Sequence, residues 1–490
     1  MSQNHVIQKV FVEITVSNKE KAHYIKNDIN GFLSVDVFPE IENYINDIES
    51  QLAGRTLQIP LLEMDLDIKN SSLNTELKDK IAELFKEKLS EIINSVEISD
   101  EKNERSKPSW INHQEKMLQT FIYFLENGSM PWWNSDKLSV GLLETSVFEN
   151  LVSAPGFRKN IISILPKKYV QDRIIHQLSD TQIAQLCSAV LENEVLKISF
   201  NFEKINELSV MNYHDRDFIW HLILEILTKQ KDSPEIELRQ YFLEQISSHL
   251  IKKSSLKKRK AFAHIFPFIT ENDIAESIKS KKKSKNIEDT KNHESITEDG
   301  NDEKSIINSE IIRKNHEKIN DEEIPDDGQY VQNAGLILIH PFIKTFFEHC
   351  NLLDMETQQL TDPDLCAHLL HYIATGNTNA PEYEMVFEKF LCNIPVNQSI
   401  KRNIKLSSRH KTQAKNVIES VQHNWSAMRK SSAALLQNEF FQRPGKLVVT
   451  DYDYTLTVER KTQDILLDKL AWGIGFVKLP WKEKFMLVNW

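Results

Sequence analysis

Cysteine and glycine are both scarce in this sequence, at 4 and 12 of 490 residues. Four thiols, Cys187, Cys350, Cys366 and Cys392, do not make a disulfide framework, and a chain of this length does not need one. They fit a reducing compartment. The low glycine count and only 15 prolines argue against a loop-rich or collagen-like chain and favour helix. No stretch approaches the ~18 consecutive apolar residues of a membrane span. The opening MSQNHVIQKVFVEITV lacks the basic region and apolar core of a secretion signal. Positive charge is also in deficit, with 60 Lys and Arg against 71 Asp and Glu and a net charge of −11. A broad nucleic-acid-binding face would need the opposite balance. Gly-x-Ser-x-Gly, the P-loop and Gly-x-Gly-x-x-Gly are all missing, so the common nucleophile and nucleotide motifs are excluded.

The residues present are those of a folded cytosolic protein, 40% hydrophobic and 27% charged, long enough for two to four domains. The expected fold is α+β and mainly α-helical. Residues 1–96 read as a small N-terminal α/β unit. Val10, Val12, Ile14 and Val16 alternate with Phe11, Glu13 and Thr15 as a half-buried strand would. Helices are predicted over Lys19–Ile29, Phe38–Glu49 and Leu77–Val96, with strand character returning over Thr56–Ile68. Residues 110–275 read as a helical domain. Its first helix stops at Gly128, and Pro131 prevents continuation. Residues 277–328 are rich in Lys, Glu, Asp, Asn and Ser and carry no aromatic residue. Such a segment cannot bury enough apolar surface to offset its chain entropy, so a charged, disordered linker is predicted. Residues 330–490 read as a second helical domain ending in short antiparallel strands and hairpins, over Lys446–Thr450, Tyr454–Arg460, Phe476–Pro480 and Phe485–Asn489.

Three patterns in the last segment raise chemical questions. Asp451-Tyr-Asp453-Tyr-Thr455 follows an apolar strand, as the nucleophile motif of a haloacid-dehalogenase-type phosphatase does. Such an enzyme also needs a Ser or Thr, a Lys and further metal-holding acids on later strands. Only 35 residues follow Thr455, with no Gly-Asp or Asp-Asp pair among them. A hairpin turn is the better reading, since Asp favours turns. Cys366, His368 and His371 share one predicted helix. Cys366 and His368 point to different faces, and two ligands do not make a metal site. Trp472, Trp481 and Trp490 mark the C-terminal strands, where core packing competes with a role in a partner interface. No catalytic, cofactor or metal site is predicted.

A longer set of stretches is more specific. NAGLILIHPF, LLHYIATG, PEYEMVFEKFLCNIP, HNWSAMRKSS, FFQRPGKL, LTVERKTQDILLDKLAWG and KLPW follow one another between Tyr330 and Trp490. In that order they resemble the tape measure proteins of contractile injection systems, the phage-tail-like particles of bacteria. FIYFLENGSMPWW, HVIQKVFVEITV and LQIPLLEMDLDI also resemble stretches of that family. The matched positions are Asn333, Gly335, His340, Pro341 and Phe342; His371, Gly376, Pro381, Glu382 and Tyr383; and Trp425, Arg443, Gly445, Glu459, Arg460, Asp464, Leu467, Trp472, Pro480 and Trp481. The resemblance implies a structural signature rather than a catalytic one. It implies a non-enzymatic role in particle assembly, setting tail-tube length, with tail tube, baseplate or cap proteins as partners. Charge and hydropathy, read above, add the expectation of neither a nucleic-acid partner nor a membrane span. The expected location is the cytosol, with incorporation into the assembled particle. A cytosolic helical adaptor or chaperone for particle components or cargo is the alternative.

Overall fold

A computed structural model describes residues 6–16, 18–49, 55–67, 73, 75–98, 108–134, 141–191, 212–229, 235–251, 255–291 and 328–490. The chain divides into two compact units. The first holds Met1–Thr120 with Trp132–Asn134; the second holds Phe121–Pro131 and Ser135–Trp490.

In the first unit, α1 (Lys19–Phe32) starts at Asn18, whose side chain accepts from the Glu20 N–H at 2.9 Å. It runs through a π-helical turn (Leu33–Val37) into α2 (Phe38–Glu49). Pro39 has no N–H to return to the preceding turn, and the wide turn before it absorbs that break. α3 (Thr75–Ile98) brings Phe85 and Leu89 against Phe32, Val37 and Ile41, and these five form the core of the unit. Two short strands, β1 (Thr56–Gln58) and β2 (Ser109–Ile111), pair antiparallel with Leu57 opposite Trp110. The Arg55 guanidinium lies 5.0 Å from the centre of the Trp110 ring. The predicted helices are all present, α2 with the expected bounds and α1 and α3 somewhat longer than expected. The predicted first strand is not: residues 6–16 join no β-ladder among the described residues, and Val10, Phe11, Val12 and Ile14 are exposed. The strand character expected over Thr56–Ile68 shrinks to β1. A strand needs a hydrogen-bonding neighbour, and β1 and β2 supply one only to each other.

α4 (His113–Asn127) ends at Gly128, as expected, with φ of +73°. In the second unit a series of short helices follows: α5 (Thr145–Val152), α6 (Phe157–Ile164), α7 (Lys168–Gln177), α8 (Asp180–Val190), α9 (Tyr213–Lys229), α10 (Glu235–Leu250), α11 (Leu256–Ile265) and α12 (Glu271–Lys291). α8 opens with a capping box between Ser179 and Gln182. α12 carries helix into the first part of the charged 277–328 segment. Residues 292–327 of that segment lie outside the described residues.

The rest of the second unit begins with β3 (Gln329–Val331) and a 3₁₀ stretch (Ala334–Ile339), every residue of which is buried. Then come α13 (His340–His349), α14 (Pro363–Thr375), a 3₁₀ turn (Glu382–Glu384), α15 (Val386–Leu391), α16 (Ser408–Asn424) and α17 (Ala433–Leu436). Pro341 and Pro363 sit in first turns, where a missing N–H costs nothing. Gly376 ends α14 in the left-handed region at φ +74°. Strands β4 (Gly445–Val449), β5 (Tyr454–Val458), β6 (Phe476–Val477) and β7 (Met486–Asn489) complete a five-stranded sheet ordered β3-β4-β5-β7-β6. The β4–β5 hairpin is the one expected. β5 and β7, however, run parallel, so the sheet is mixed, and β3 joins it from the start of the segment. Leu447, Leu456, Val458, Val477, Met486 and Val488 turn inward into the same buried core as residues of the 3₁₀ stretch, α13, α14 and α15. Among the described residues no helix is long and apolar enough to cross a membrane.

Gly335 shows how tightly this unit is closed. A Cβ there would lie 1.7 Å from the Phe440 carbonyl oxygen, a backbone atom that cannot swing away. Gly376 has open space around its missing Cβ and only its positive φ to answer for. Gly335→Ala should therefore cost about 3 kcal/mol or more, and Gly376→Ala about 1 kcal/mol. Denaturant unfolding of the two variants checks this; equal costs would contradict the packing described.

Candidate functional site

The most unusual chemistry lies inside the second unit, where three charged side chains are fully buried together. Pro381 leads into the 3₁₀ turn that starts at Glu382, and α15 places Lys389 back over it. The Lys389 Nζ is 2.6 Å from Glu382 Oε1 and also donates to the carbonyls of Val396 and Gln398, at 2.7 and 2.6 Å. From α7, the Arg173 Nε donates to Glu382 Oε2 at 3.2 Å, and Nη1 donates to the Leu125 carbonyl at 2.6 Å. The Arg173 Nη2 donates to Glu382 Oε1 at 3.4 Å and to the Asn397 carbonyl. The Gln177 side chain accepts from the Glu382 N–H at 2.9 Å and donates to the Ile400 carbonyl at 2.7 Å. Two cations thus share one carboxylate, and four backbone carbonyls take up the remaining donors. Burial depresses the Lys389 pKa; Glu382 opposes the shift and Arg173 adds to it. Gly128 lies directly on this cluster. A Cβ there would sit 2.5 Å from the Val396 oxygen, 2.6 Å from Glu382 Oε1 and 2.7 Å from Arg173 Nη2.

A second buried group involves Asn333, His371 and Glu388. Asn333 Nδ2 donates to Glu388 Oε1 at 2.7 Å and to the Glu384 carbonyl at 3.2 Å. His371 Nδ1 lies 2.9 Å from the same Glu388 oxygen. Burial raises the pKa of nearby Glu384, and His371 partly offsets the rise. A third group centres on Arg443, which is wholly buried. Its Nη2 donates to Asp464 Oδ1 at 2.8 Å, and its Nε and Nη1 donate to the carbonyls of Glu439 and Glu459 at 2.5 and 3.0 Å. The other Asp464 oxygen accepts from the Trp490 indole at 3.1 Å and from the Lys461 N–H at 2.8 Å.

These clusters build a fold; they do not expose a reagent. The thiols agree with this. Cys366 and Cys392 are buried against each other, and burial pushes the Cys366 thiol up. The Cys350 thiol is pushed up to about 11 by burial, the reverse of an activated nucleophile. His368 and Cys366 do not meet a third ligand: His368 Nε2 is 2.7 Å from the Lys401 carbonyl. Among the described residues no group of three or more His, Cys, Asp or Glu side chains could hold a metal ion.

The family model for contractile injection system tape measure proteins matches residues 4–490. The chain belongs to that family. Searches of curated proteins and of solved structures found no match.

In this tape measure family member the signature residues fall into a few structural groups. Asn333 and His371 form the second cluster, with Glu388, which sequence reasoning passed over. Arg443 and Asp464 form the third. Glu459 contributes backbone alone, its N–H donating to the Pro444 carbonyl at 2.9 Å. Arg460 is exposed and donates to the Trp490 carbonyl at 2.9 Å. Phe342 meets Trp472 edge-on at 5.4 Å. The indole N–H groups of Trp425, Trp472 and Trp481 donate to the carbonyls of Leu466, Leu338 and Leu391, at 2.9, 3.1 and 2.8 Å. The tryptophans are therefore internal braces. Gly335 and Gly445 allow close backbone approach, Pro341 and Pro381 open helical turns, and Gly376 closes one; Pro480 is exposed. Arg173 and Lys389 were missed. A buried cation on an otherwise ordinary helix leaves no signal in spacing. Asp451 and Asp453 lie in the β4–β5 turn. The Thr450 hydroxyl is 2.9 Å from the Asp453 carboxylate and accepts from the Asp453 N–H at 3.0 Å, while Tyr452 between them is 88% exposed.

Two measurements test the charge arrangement. Glu382→Ala leaves two buried cations without their carboxylate and should cost roughly 3–5 kcal/mol. Replacing Arg173, Glu382 and Lys389 together by Met, Leu and Met should cost less than that single change, as read from denaturant midpoints. The second concerns His340, whose pKa burial lowers to about 4. Between the ordinary value near 6.5 and about 4 the unfolded chain binds the extra proton, so this group's contribution is lost as pH falls through that window. His340→Gln should flatten the stability slope between pH 6.5 and 4 relative to the parent chain; an unchanged slope would show that His340 does not supply it.

Proposed function

We propose that this chain is a non-enzymatic assembly protein of a bacterial contractile injection system, made in the cytosol, carried into the particle, and acting to set tail-tube length. The partners in this reading are tail tube, baseplate or cap proteins. The family match over residues 4–490 carries the proposal. The interior supports it: buried Arg173, Glu382, Lys389, Arg443 and Glu388 are bonded to protein groups, which suits a scaffold. In this reading residues 292–327 leave and re-enter the second unit, whose parts before and after them are bonded directly through Arg173 and Glu382, and the reach of that charged excursion is the adjustable quantity. Its composition supports that assignment, since charged, aromatic-free chain has too little apolar surface to collapse onto the unit.

The test alters only residues 292–327, in particles assembled with the full chain. Because the segment leaves and returns to one compact unit, duplicating it should lengthen tubes by about half the added contour, roughly 25 Å if it is helical and roughly 60 Å if it is extended, as measured by electron microscopy. Deleting it should shorten them. Tubes of unchanged length in particles shown by mass spectrometry to contain the altered chain would overturn the ruler mechanism.

A further inference from the structure

Residues 6–15 of the first unit combine β-branched and aromatic chemistry with exposure to water. Val6, Ile7, Val10, Phe11, Val12 and Ile14 are all exposed, and Phe11 is 81% so. Strand-forming residues of this kind are stable in water only when a sheet receives them. The same unit holds a sheet that is short of strands. β1 and β2 form a two-stranded ribbon of three residue pairs, and two strands alone are marginal. Residues 59–67 continue from β1 with no ladder of their own. Over residues 61–65 they alternate as a half-buried strand does: Leu62 and Met64 pack on the helical core, while Leu61, Glu63 and Asp65 face water; Ile59 also packs on the core, and Pro60 and Leu66 are exposed. Leu61 is 70% exposed. One chain therefore carries a strand without a sheet and a sheet edge without a strand, and within the single chain the two do not pair.

We propose that the partner for this edge is a second copy of the chain, each copy placing residues 6–14 antiparallel along residues 58–66 of the other. One register satisfies both faces. Setting Phe11 opposite Leu61 joins the two highly exposed apolar side chains on the outer face and places Lys9 opposite Glu63. It also puts Val10 opposite Leu62 on the inner face, and sets the exposed Val6 opposite the exposed Leu66. The parallel alternative with Phe11 opposite Leu61 sets Glu13 against Glu63, and like charges directly opposite are unfavourable. A slip of one residue would turn the apolar face outward. The exchange is isologous, so it closes at two copies rather than propagating. It stands independently of any role in tube length.

Mixing two full-length variants tests the pairing, because the four native cysteines are all buried. Phe11→Cys in one copy and Leu61→Cys in the other can be joined only between chains. Under mild oxidation this mixture should yield covalent dimer at least ~10-fold faster than a mixture of Val12→Cys and Leu61→Cys, whose side chains leave opposite faces. Light scattering should find the parent chain dimeric and the Phe11→Asp variant monomeric, with the thermal transition of the second unit unchanged as a check on folding. Equal cross-linking in the two mixtures would overturn the register. A monomeric parent chain would overturn the second copy as the partner. So would a Phe11→Cys, Leu61→Cys double variant that closes its disulfide within one chain.

Discussion

A single buried carboxylate, Glu382, holds the second unit together. It receives hydrogen bonds from Arg173 on α7 and Lys389 on α15, and its own N–H reaches Gln177. Neither cation could stay desolvated without it, and the carbonyls of residues 396–398 and Leu125 are drawn in to satisfy the donors that remain. The consequence spreads outward. α4 must end at a residue without a side chain, because Gly128 lies against the cluster. The helices between residues 145 and 291 and the sheet-bearing part after 328 become one compact unit, although more than 200 residues separate Arg173 from Glu382. Apolar packing alone would tolerate small shifts between these parts. Paired charges with fixed donor directions do not, so the cluster sets how the parts fit.

The Arg443–Asp464 pair repeats the same device at the other side of the C-terminal part. There the carboxylate collects a guanidinium, a backbone N–H and the Trp490 indole. Tryptophan contributes in the same way elsewhere, with apolar rings filling the core and indole N–H groups tying down distant carbonyls. The polar groups in this interior are spent on architecture, which is coherent with a family whose members are parts of a particle.

Much of the helical architecture was legible in the sequence, because its signals are local. Pro341, Pro363 and Gly376 mark helix ends by their own backbone constraints, and α1 to α3 follow from apolar periodicity. The β4–β5 hairpin was legible too, since Asp451 and Asp453 favour a turn between two apolar strands. What was not legible depended on distant residues. Val10–Val16 has the alternation of a strand, but alternation cannot say whether a neighbour exists. The parallel pairing of β5 with β7 arises from a connection that periodicity does not describe. Arg173 and Lys389 look like solvated charges on amphipathic helices until the fold places Glu382 between them. Of the residues carrying the family resemblance, Asn333, Arg443 and Asp464 lie in buried polar clusters, but the resemblance gave no hint that Glu388 completes one cluster and Trp490 the other.

The strand order β3-β4-β5-β7-β6 bears on how the protein folds. β7, at Met486–Asn489, is an interior strand, and β5 has no second neighbour until it docks. β5 and β7 lie only about thirty residues apart, so the ribosome releases them almost together and the sheet closes after synthesis rather than during it. A chain shortened before Met486 would instead leave β5 with a lasting open edge of unpaired N–H and C=O groups, a template for association with other chains.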